Sequence, residues 1–361
     1  ADGKPVVRER TLGTAVNDLQ EQLTHRDVDR VADEVGVQCF EDGLALIPAG
    51  LFSNCGGVEE VVLPDSVLEI GSYAFYNATG LKSVKLPKGL AVIKANTFAG
   101  CSSLTAVQGM DAVTHIHEAA FSGCSALKQI QLFDGLKLLG SGCFYQCIAL
   151  EAIEIPDSVT SIENNCFAGC SALTTVKLPK NLDSLANGLF NQCIALNTIQ
   201  IPKTVKTIGN DTFSGCTALV EMVLPDAIET IGDNAFYGCT SLMMIYIPAS
   251  ITGIGYQAFA NCESMIEVVF GGNGITYLPD GAFANCFAMT AIVLPMGIEA
   301  IYAGVFENCD SLTKVIVPAS VTYIGDQAFF SCRTLESVSI PASVTYIGIM
   351  AFGNTGKLQT I

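Results

Sequence analysis

Cysteine is the residue type whose spacing most invites a chemical explanation. The chain has 361 residues and 15 cysteines, of which 12 stand at one repeated position: Cys55, Cys101, Cys124, Cys147, Cys170, Cys193, Cys216, Cys239, Cys262, Cys286, Cys309 and Cys332. A zinc site needs four converging ligands, typically with a C-x-x-C pair, and the sequence contains no such pair. Parallel side chains in a row suit disulfide geometry poorly. We therefore interpret the row as buried thiols that act as small apolar residues, with metal binding and disulfides as the alternatives.

Three further cysteines and a histidine pair depart from this row. Cys39 lies near the N-terminus, while Cys143 and Cys166 occupy equivalent positions and are expected to lie side by side. His115 and His117 alternate around an isoleucine, so a strand would place both on one face. Glu118 is nearby and a weak metal site is conceivable, but a solvent-facing pair is the simpler interpretation.

Catalysis has no support in the sequence. The chain has three histidines and no G-x-S-x-G, H-E-x-x-H or Walker A pattern. The segment Gly-Gly-Asn-Gly at 271–274 resembles a phosphate loop, but it falls where one repeat gains a residue and is better explained as a turn or bulge. We predict no enzymatic activity, no cofactor and no resident metal.

The elements that position these residues follow from a strict period. Twelve of 13 intervals between registered phenylalanines are 23 residues and the other is 24, for Phe52, Phe75, Phe98, Phe121, Phe144, Phe167, Phe190, Phe213, Phe236, Phe259, Phe283, Phe306, Phe329 and Phe352. Self-similarity of this kind indicates a repeat architecture, so several unrelated domains are excluded from about residue 44 onward.

Each repeat reads as two short strands joined by turns. In the repeat that begins at Leu150, the segment L-x-x-I-x-I-P has the period of a strand that ends at proline, and S-V-T-x-I alternates again. Too few residues remain for a helix. A unit this short cannot bury Leu150, Ile153, Ile155, Val159 and Phe167 alone, whereas stacked units bury them in continuous rows. We predict a parallel β-solenoid of about 14 coils.

The repeat is similar to a known family. The pattern L-x-x-I-x-I-P-x-S-V-T-x-I-G-x-x-A-F-x-x-C resembles the BspA-like (Treponema pallidum type) leucine-rich repeat, almost literally in IPASVTYIGIMAFGNT at 340–355 and VPASVTYIGDQAFFSC at 317–332. The resemblance covers roughly residues 44–361. It implies a curved, right-handed superhelical solenoid whose L-x-x-I-x-I strands form a parallel sheet on the concave side. Repeats of this family occur in surface proteins of host-associated bacteria and some protozoan parasites. The resemblance therefore also implies a location at the cell surface and a role in adhesion or the binding of host proteins.

Residues 1–43 lie outside the strict pattern. Thr24-x-x-Asp27 resembles a capping box, and Val28, Val31 and Val35 share a helical face. We predict a small helical N-terminal cap at 1–43 and the solenoid at 44–361, with a piece of another domain as the alternative for the first part. The final LQTI matches the start of a further strand, which favours either more chain or a pairing partner at this edge.

Composition limits the classes of partner. The net charge is −17, which argues against nucleic acid and anionic membranes because both require Lys and Arg against phosphate. No run of 18 apolar residues is present, so no membrane-inserted segment is expected in this chain. Charge thins along the chain, from 42 charged residues in the first 240 to 11 in the last 121.

Partner binding must come from positions that face outward. In each L-x-x-I-x-I strand, two positions face outward: the residue just before the first isoleucine position and the residue between the two isoleucine positions. In the C-terminal repeats these positions form a mostly apolar stripe: Val223, Met244, Tyr246, Glu267, Val269, Ala291, Val293, Lys314 and Ile316. A second column, before the isoleucine of S-V-T-x-I, holds Tyr277, Ala300, Tyr323 and Tyr346. An apolar patch rimmed by charge indicates recognition. β-branched residues also favour strands whether covered or not, and a further domain could cover the stripe.

Three functions differ in the support that the sequence gives them. The sequence and the resemblance favour a non-enzymatic, secreted or cell-surface scaffold that mediates adhesion or protein–protein interaction, with a host or matrix protein as its partner. A carbohydrate- or cell-wall-binding structural module is the alternative, since the tyrosine column suits glycans but the chain has no Trp. A hydrolase is least favoured because no acid–base pair is clustered.

Overall fold

The computed structural model describes residues 37–40 and 43–360. The predicted helices of the N-terminal cap lie outside the described residues, so the cap and its boundary stay predictions. The first described strand, Val37–Cys39, pairs in parallel with Glu60–Val62. The first sheet therefore begins at Val37, within the range 1–43 that the sequence pattern assigns to the cap.

The L-x-x-I-x-I segments form the first ladder of strands. Its members are β1 (Val37–Cys39), β3 (Glu60–Val62), β5 (Ser83–Lys85), β7 (Ala106–Gln108), β10 (Ala152–Glu154), β12 (Thr175–Lys177), β15 (Glu221–Met222), β17 (Met244–Ile247), β19 (Glu267–Phe270), β21 (Ala291–Ile292), β23 (Lys314–Ile316) and β25 (Ser337–Ser339).

The S-V-T-x-I segments form the second ladder. Its members are β2 (Leu46–Ile47), β4 (Glu69–Ile70), β6 (Val92–Ile93), β8 (His115–Ile116), β9 (Leu138–Leu139), β11 (Ser161–Ile162), β13 (Ser184–Leu185), β14 (Thr207–Ile208), β16 (Thr230–Ile231), β18 (Gly253–Ile254), β20 (Tyr277–Leu278), β22 (Ala300–Ile301), β24 (Tyr323–Ile324) and β26 (Tyr346–Ile347).

Strands pair in parallel with the strand of the next coil, one repeat away. Val61 pairs with Val84 at a separation of 23 residues, and Val268 pairs with Ile292 at 24, so the longer repeat keeps the register. At the end of the described chain Thr360 bridges Ser337 in parallel. The predicted parallel β-solenoid with its 23-residue period is confirmed, with about 13 turns where 14 were expected.

Both ladders are interrupted. The first ladder has no strand at 129–131 or 198–200, and it divides into sheets of four, two and six strands. The second ladder divides after β4, β11 and β18. Hydrogen bonding between strands therefore does not run the length of the solenoid, and continuity must come from another part of each coil.

The registered phenylalanines provide that continuity. Thirteen consecutive ring pairs, from Phe52 to Phe352, stack with centroids 5.1–5.9 Å apart and planes within 18° of parallel. The turn around each ring, which we call the anchor turn, donates backbone N–H groups to the next coil. Phe213 N–H, for example, reaches Ala235 O at 2.8 Å and Gly215 N–H reaches Tyr237 O at 2.7 Å.

The anchor turn requires a left-handed backbone at two positions, two residues before and two residues after each phenylalanine. Among the described residues, all 18 non-glycine residues with positive φ occupy one of these two positions. Glycine and asparagine adopt this conformation most readily, and they fill many of the sites, such as Asn165 and Gly169 around Phe167. The turn geometry therefore explains much of the Gly and Asn content of the repeat.

Apolar side chains inside the coils form one continuous core. In the repeat that begins at Leu150, every residue predicted to be buried is so, including Ile155, Val159 and Phe167. The described part of the chain contains no helix, which agrees with the prediction for the repeats. It follows that no helix among the described residues is long and apolar enough to span a membrane.

Replacing a central ring tests the role of the phenylalanine stack. Phe213→Ala removes a fully buried ring that stacks 5.6 Å from Phe190 and 5.3 Å from Phe236. We expect a loss of about 3–5 kcal/mol of unfolding free energy, measured by urea denaturation, because the cavity cannot close between two fixed coils. The control, Phe287→Ala, removes a ring that is 40% exposed and should cost about 0.5 kcal/mol or less. Equal losses for the two variants would contradict the account.

Candidate functional site

The repeated cysteines are buried, as predicted. From Cys101 onward each registered thiol donates to the carbonyl oxygen of the phenylalanine one coil earlier, at 3.0–3.4 Å. In most coils that oxygen also accepts the backbone N–H of the cysteine in its own coil, as Phe213 O does from Cys216 N–H at 3.0 Å. The thiol therefore satisfies the second lone pair of a buried carbonyl while it fills a small apolar space.

Burial controls the acidity of these thiols. It raises the pKa of Cys101, Cys170, Cys239, Cys286 and Cys332 from 9.0 to about 12, while a backbone hydrogen bond partly opposes the change. Thiolates are the metal-binding and nucleophilic form, and these thiols stay protonated at neutral pH. The Sγ atoms of Cys143 and Cys166 do lie side by side, as expected, at a hydrogen-bonding distance of 3.3 Å. The side chain of Cys39 lies outside the description.

His115 lies on β8 and His117 directly follows that strand, with the two rings side by side as alternation predicted. The rings of His115 and His117 are 6.2 Å apart and 17° from parallel, and His115 Nδ1 is 2.8 Å from Thr114 Oγ1. Among residues 37–40 and 43–360, no group of three His, Cys, Asp or Glu side chains is arranged to hold a metal ion. The pair therefore offers two ligands, fewer than a stable site requires.

The segment 271–274 is an irregular connection between β19 and β20. A Cβ on Gly271 would lie 2.2 Å from the Tyr246 hydroxyl. The Tyr246 hydroxyl therefore packs against Gly271, and a larger residue there would require the tyrosine side chain to shift. This contact links the segment to the sequence-predicted stripe and gives it a packing role.

The predicted stripe lies on the six-stranded sheet β15–β17–β19–β21–β23–β25. Val223 is 78% exposed and Val293 is 81% exposed, while Ile316, Met244 and Tyr246 are about half exposed. Val269 is half-buried, and Glu267 and Lys314 are exposed. The sheet therefore brings these sequence-predicted residues onto one outward face, with Tyr246 directly beside Val269 in register.

A further apolar column belongs to the same face and was missed from the sequence. Val220, Met243 and Ile266 follow the first apolar residue of their repeats and are 41%, 46% and 42% exposed. Their repeat position precedes the two outward positions of each strand that define the predicted stripe. We call the combined set the apolar face, and its members are Val220, Val223, Met243, Met244, Tyr246, Ile266, Val269, Val293 and Ile316.

The N-terminal half of the same ladder presents charge at the equivalent positions. Ion pairs join neighbouring coils, with Glu59 to Lys82 at 2.8 Å, Glu151 to Lys128 at 3.6 Å, and Glu154 to Lys177. The change from paired charges to apolar side chains coincides with the interruption of the ladder at 198–200. An open cleft at this interruption is lined by Thr174, Thr175, Val176, Asn197, Thr198, Ile199 and Gln200.

The second column forms a continuous row of tyrosines. Tyr277, Tyr323 and Tyr346 lie on β20, β24 and β26, as predicted, and Tyr302 fills the gap left by Ala300. Ring centroids are 5.6 Å apart for Tyr277–Tyr302, 5.8 Å for Tyr302–Tyr323 and 4.8 Å for Tyr323–Tyr346. We call these four residues the tyrosine ladder. Tyr302 escaped the sequence analysis because it occupies a different repeat position, where several other repeats have glycine.

Comparison with known proteins agrees with this geometry. The family model of the BspA type leucine rich repeat region, which contains six copies, matches residues 45–174, 137–266 and 264–361. The chain belongs to this family. The expected resemblance is therefore confirmed. Members of the BspA-type family are leucine-rich repeat scaffolds that typically serve protein–protein interaction and are generally not enzymes.

The first two of the following solved structures show the same fold. A leucine-rich repeat protein from Bacteroides ovatus is 30% identical, with a TM-score of 0.71 over 83% of this chain and 86% of that chain. A leucine-rich repeat protein from Eubacterium ventriosum is 23% identical, with a TM-score of 0.58 over 83% of each chain. A leucine rich cell surface protein from Faecalibacterium prausnitzii is 25% identical, with a TM-score of 0.38 over 90% of this chain and 85% of that chain. No curated protein matches the chain.

The buried thiols of this BspA-type chain make its stability sensitive to alkali. Above pH 9.0 the unfolded thiols lose their protons, whereas the folded thiols keep theirs up to about pH 12. The folded state then binds more protons, so stability falls as pH rises, by about 1.4 kcal/mol per pH unit for each fully shifted thiol. We expect the urea midpoint of unfolding to drop steeply between pH 9 and pH 11.

A matched variant isolates the thiol contribution. Cys170→Ala combined with Cys239→Ala removes two shifted groups, and Ala78 shows that alanine fits the same repeat position without exposure. Because the variant lacks two thiols that titrate, its unfolding free energy should fall less steeply with pH between pH 9 and pH 11 than that of the native protein. An unchanged slope would mean that other groups cause the alkaline loss.

Proposed function

We propose that this protein is a non-enzymatic repeat scaffold of the cell surface or the extracellular space, which mediates adhesion by binding a host or matrix protein through its apolar face. The single observation that carries the proposal is the exposure of a contiguous set of apolar side chains, led by Val223 and Val293, in the C-terminal part of a strand ladder whose N-terminal part is polar. Solvent-exposed apolar clusters of this kind mark recognition sites.

The dimensions of the apolar face suit the centre of a protein interface. Val223 and Ile316 are four strands apart, which corresponds to about 19 Å across the sheet. The three columns extend about 10 Å along each strand, at about 3.3 Å per residue. This area matches the apolar core of an interface rather than the whole, so polar residues around it must contribute a rim. Glu221, Glu267 and Lys314 are exposed beside the apolar columns and supply that polarity.

The residue types are those that bind well. Tyr246, Met243 and Met244 are of the kinds enriched at protein interfaces, since aromatic and thioether side chains offer large contact areas. The location at the cell surface or outside the cell is proposed from what the family resemblance implies.

A carbohydrate- or cell-wall-binding module is the second candidate, and the tyrosine ladder is the observation that favours it. Exposed tyrosines can stack on sugar rings. The rings of Tyr323 and Tyr346, however, lie 6° from parallel at 4.8 Å, so each covers one face of the other. Protein binding on the apolar face therefore remains the better-supported proposal.

Charge introduced on the apolar face tests the proposal. The double variant Val223→Glu and Val293→Glu places carboxylates at exposed positions where Glu154 occurs naturally, so folding should be unaffected. We expect binding to a matrix protein to weaken at least about tenfold, equivalent to about 1.4 kcal/mol, because a buried carboxylate would lose its hydration. Surface plasmon resonance against a panel of purified extracellular-matrix proteins, run beside a glycan array, provides the measurement.

The chain offers a matched control for this test. Gln108→Glu combined with Gln131→Glu adds the same charge at the same repeat position in the polar half of the ladder, and binding should change by less than about twofold. Equal weakening by both double variants, or no weakening by the first, would contradict binding at the apolar face. Binding on the glycan array alone would support the second candidate instead.

A further inference from the structure

The tyrosine ladder is flanked by carboxylates in fixed positions. Asp280 Oδ1 accepts a hydrogen bond at 2.9 Å from the N–H of Ala303, the residue that follows Tyr302. Asp326 Oδ1 accepts one at 2.8 Å from the N–H of Ile349, which lies shortly after Tyr346 in the chain. Each carboxylate is thus tied to the coil that carries the next tyrosine. The two aspartates occupy the same repeat position two coils apart, which corresponds to about 10 Å.

Positive charge is scarce around the ladder. Residues 271–360 contain six acidic side chains and only Lys314, Arg333 and Lys357 as cations. Lys314 lies on β23 of the first ladder, and Arg333 pairs with Asp310 at 3.2 Å. Within the described part of the chain, the ion pairs include neither Asp280 nor Asp326. The carboxylates beside the aromatic row are therefore not neutralised by an ion pair among the described residues.

The acidity of Tyr323 reports the same field. Burial raises the pKa of its phenol most, and the neighbouring Tyr346, Asp326 and Asp280 raise it further. All the charged groups that act on this phenol disfavour an additional negative charge. The same field favours a positive charge placed at the ladder.

We propose that the tyrosine ladder, together with Asp280 and Asp326, is a docking surface for a basic peptide segment of a partner protein. Arginine or lysine side chains of that segment pair with the two carboxylates and donate hydrogen bonds to the phenol oxygens. Tyr277, Tyr302 and Tyr346 are 43%, 40% and 46% exposed, so a partner can reach the ladder from solvent. The surface is separate from the apolar face, and the inference does not depend on it.

Ring geometry favours a cation over a sugar. A sugar needs an open aromatic platform, whereas the rings of Tyr323 and Tyr346 lie 4.8 Å apart and 6° from parallel, so each covers one face of the other. The Tyr302 ring is inclined by 59° to Tyr277 and by 61° to Tyr323, so neither neighbour stacks flat against its face. A guanidinium or ammonium group can approach this ring by a cation–π contact while it pairs with a carboxylate.

A peptide-binding measurement tests the inference on the whole chain. The probe is a fluorescein-labelled peptide of alternating arginine and glycine, followed by fluorescence anisotropy, beside the same peptide with citrulline for arginine. The native protein should bind the arginine peptide, and the neutral peptide should bind at least about tenfold more weakly because it lacks charge-assisted hydrogen bonds.

Two double variants locate the binding. Asp280→Asn with Asp326→Asn removes the charges but keeps the backbone hydrogen bonds, since Asn164, Asn187 and Asn210 make the same bond at this repeat position. Tyr302→Ala with Tyr323→Thr removes two rings, and Thr207 and Thr230 show that threonine fits the latter position. Each double variant should weaken binding at least about tenfold.

The control changes the net charge equally in coils without the ladder. Asp211→Asn with Asp233→Asn uses positions where asparagine is already found in other repeats, and binding should change by less than about twofold. If the control weakened peptide binding equally, the net charge of the protein would explain the binding, and the inference would be overturned. Equal binding of the citrulline peptide, no binding of either peptide, or occupation of the ladder by a glycan or a second copy of the chain would also overturn it.

Discussion

The stacking of one anchor turn on the next is the interaction on which the whole molecule depends. Both strand ladders are interrupted, yet 13 phenylalanine pairs stack without a gap and the hydrogen bonds of the anchor turns accompany them. The thiols belong to the same column, because each one satisfies the phenylalanine carbonyl of the preceding coil. The repeat therefore holds its period through the turn, and the strands follow from it.

This division of labour leaves the outward strand positions free to differ from coil to coil. The same position holds Lys85, Glu154 and Lys177 in the N-terminal half and Val223, Val293 and Ile316 in the C-terminal half. Both halves are built from the same repeated coil. The difference in side chains at this position therefore affects the partners that the surface can bind rather than the fold of the chain. Two surfaces of different chemistry, the apolar face and the tyrosine ladder, result from this freedom.

Much of the fold was predictable because period and burial repeat in every coil. The strands, the buried cysteines and the outward stripe follow from residue spacing alone. Tyr302 could not be found in this way, since the row it completes joins two different repeat positions across neighbouring coils. Val220, Met243 and Ile266 were missed because their position is charged in the first half, at Glu59 and Lys82. The interruptions at 198–200 and 129–131 have no marker in the pattern, because Ile199 and Ile130 fit it as well as any other residue.

Hydrogen–deuterium exchange followed by mass spectrometry tests the central claim most directly. If the anchor turns carry the continuity of the solenoid, the amides of Phe190 and Phe213 should exchange at least about a hundredfold more slowly than those at 198–200, which lie between them. Their N–H groups reach Thr212 O and Ala235 O at 2.8 Å. Exchange of both turns as fast as the interrupted strand, or division of the chain there into two separately exchanging blocks, would contradict the account.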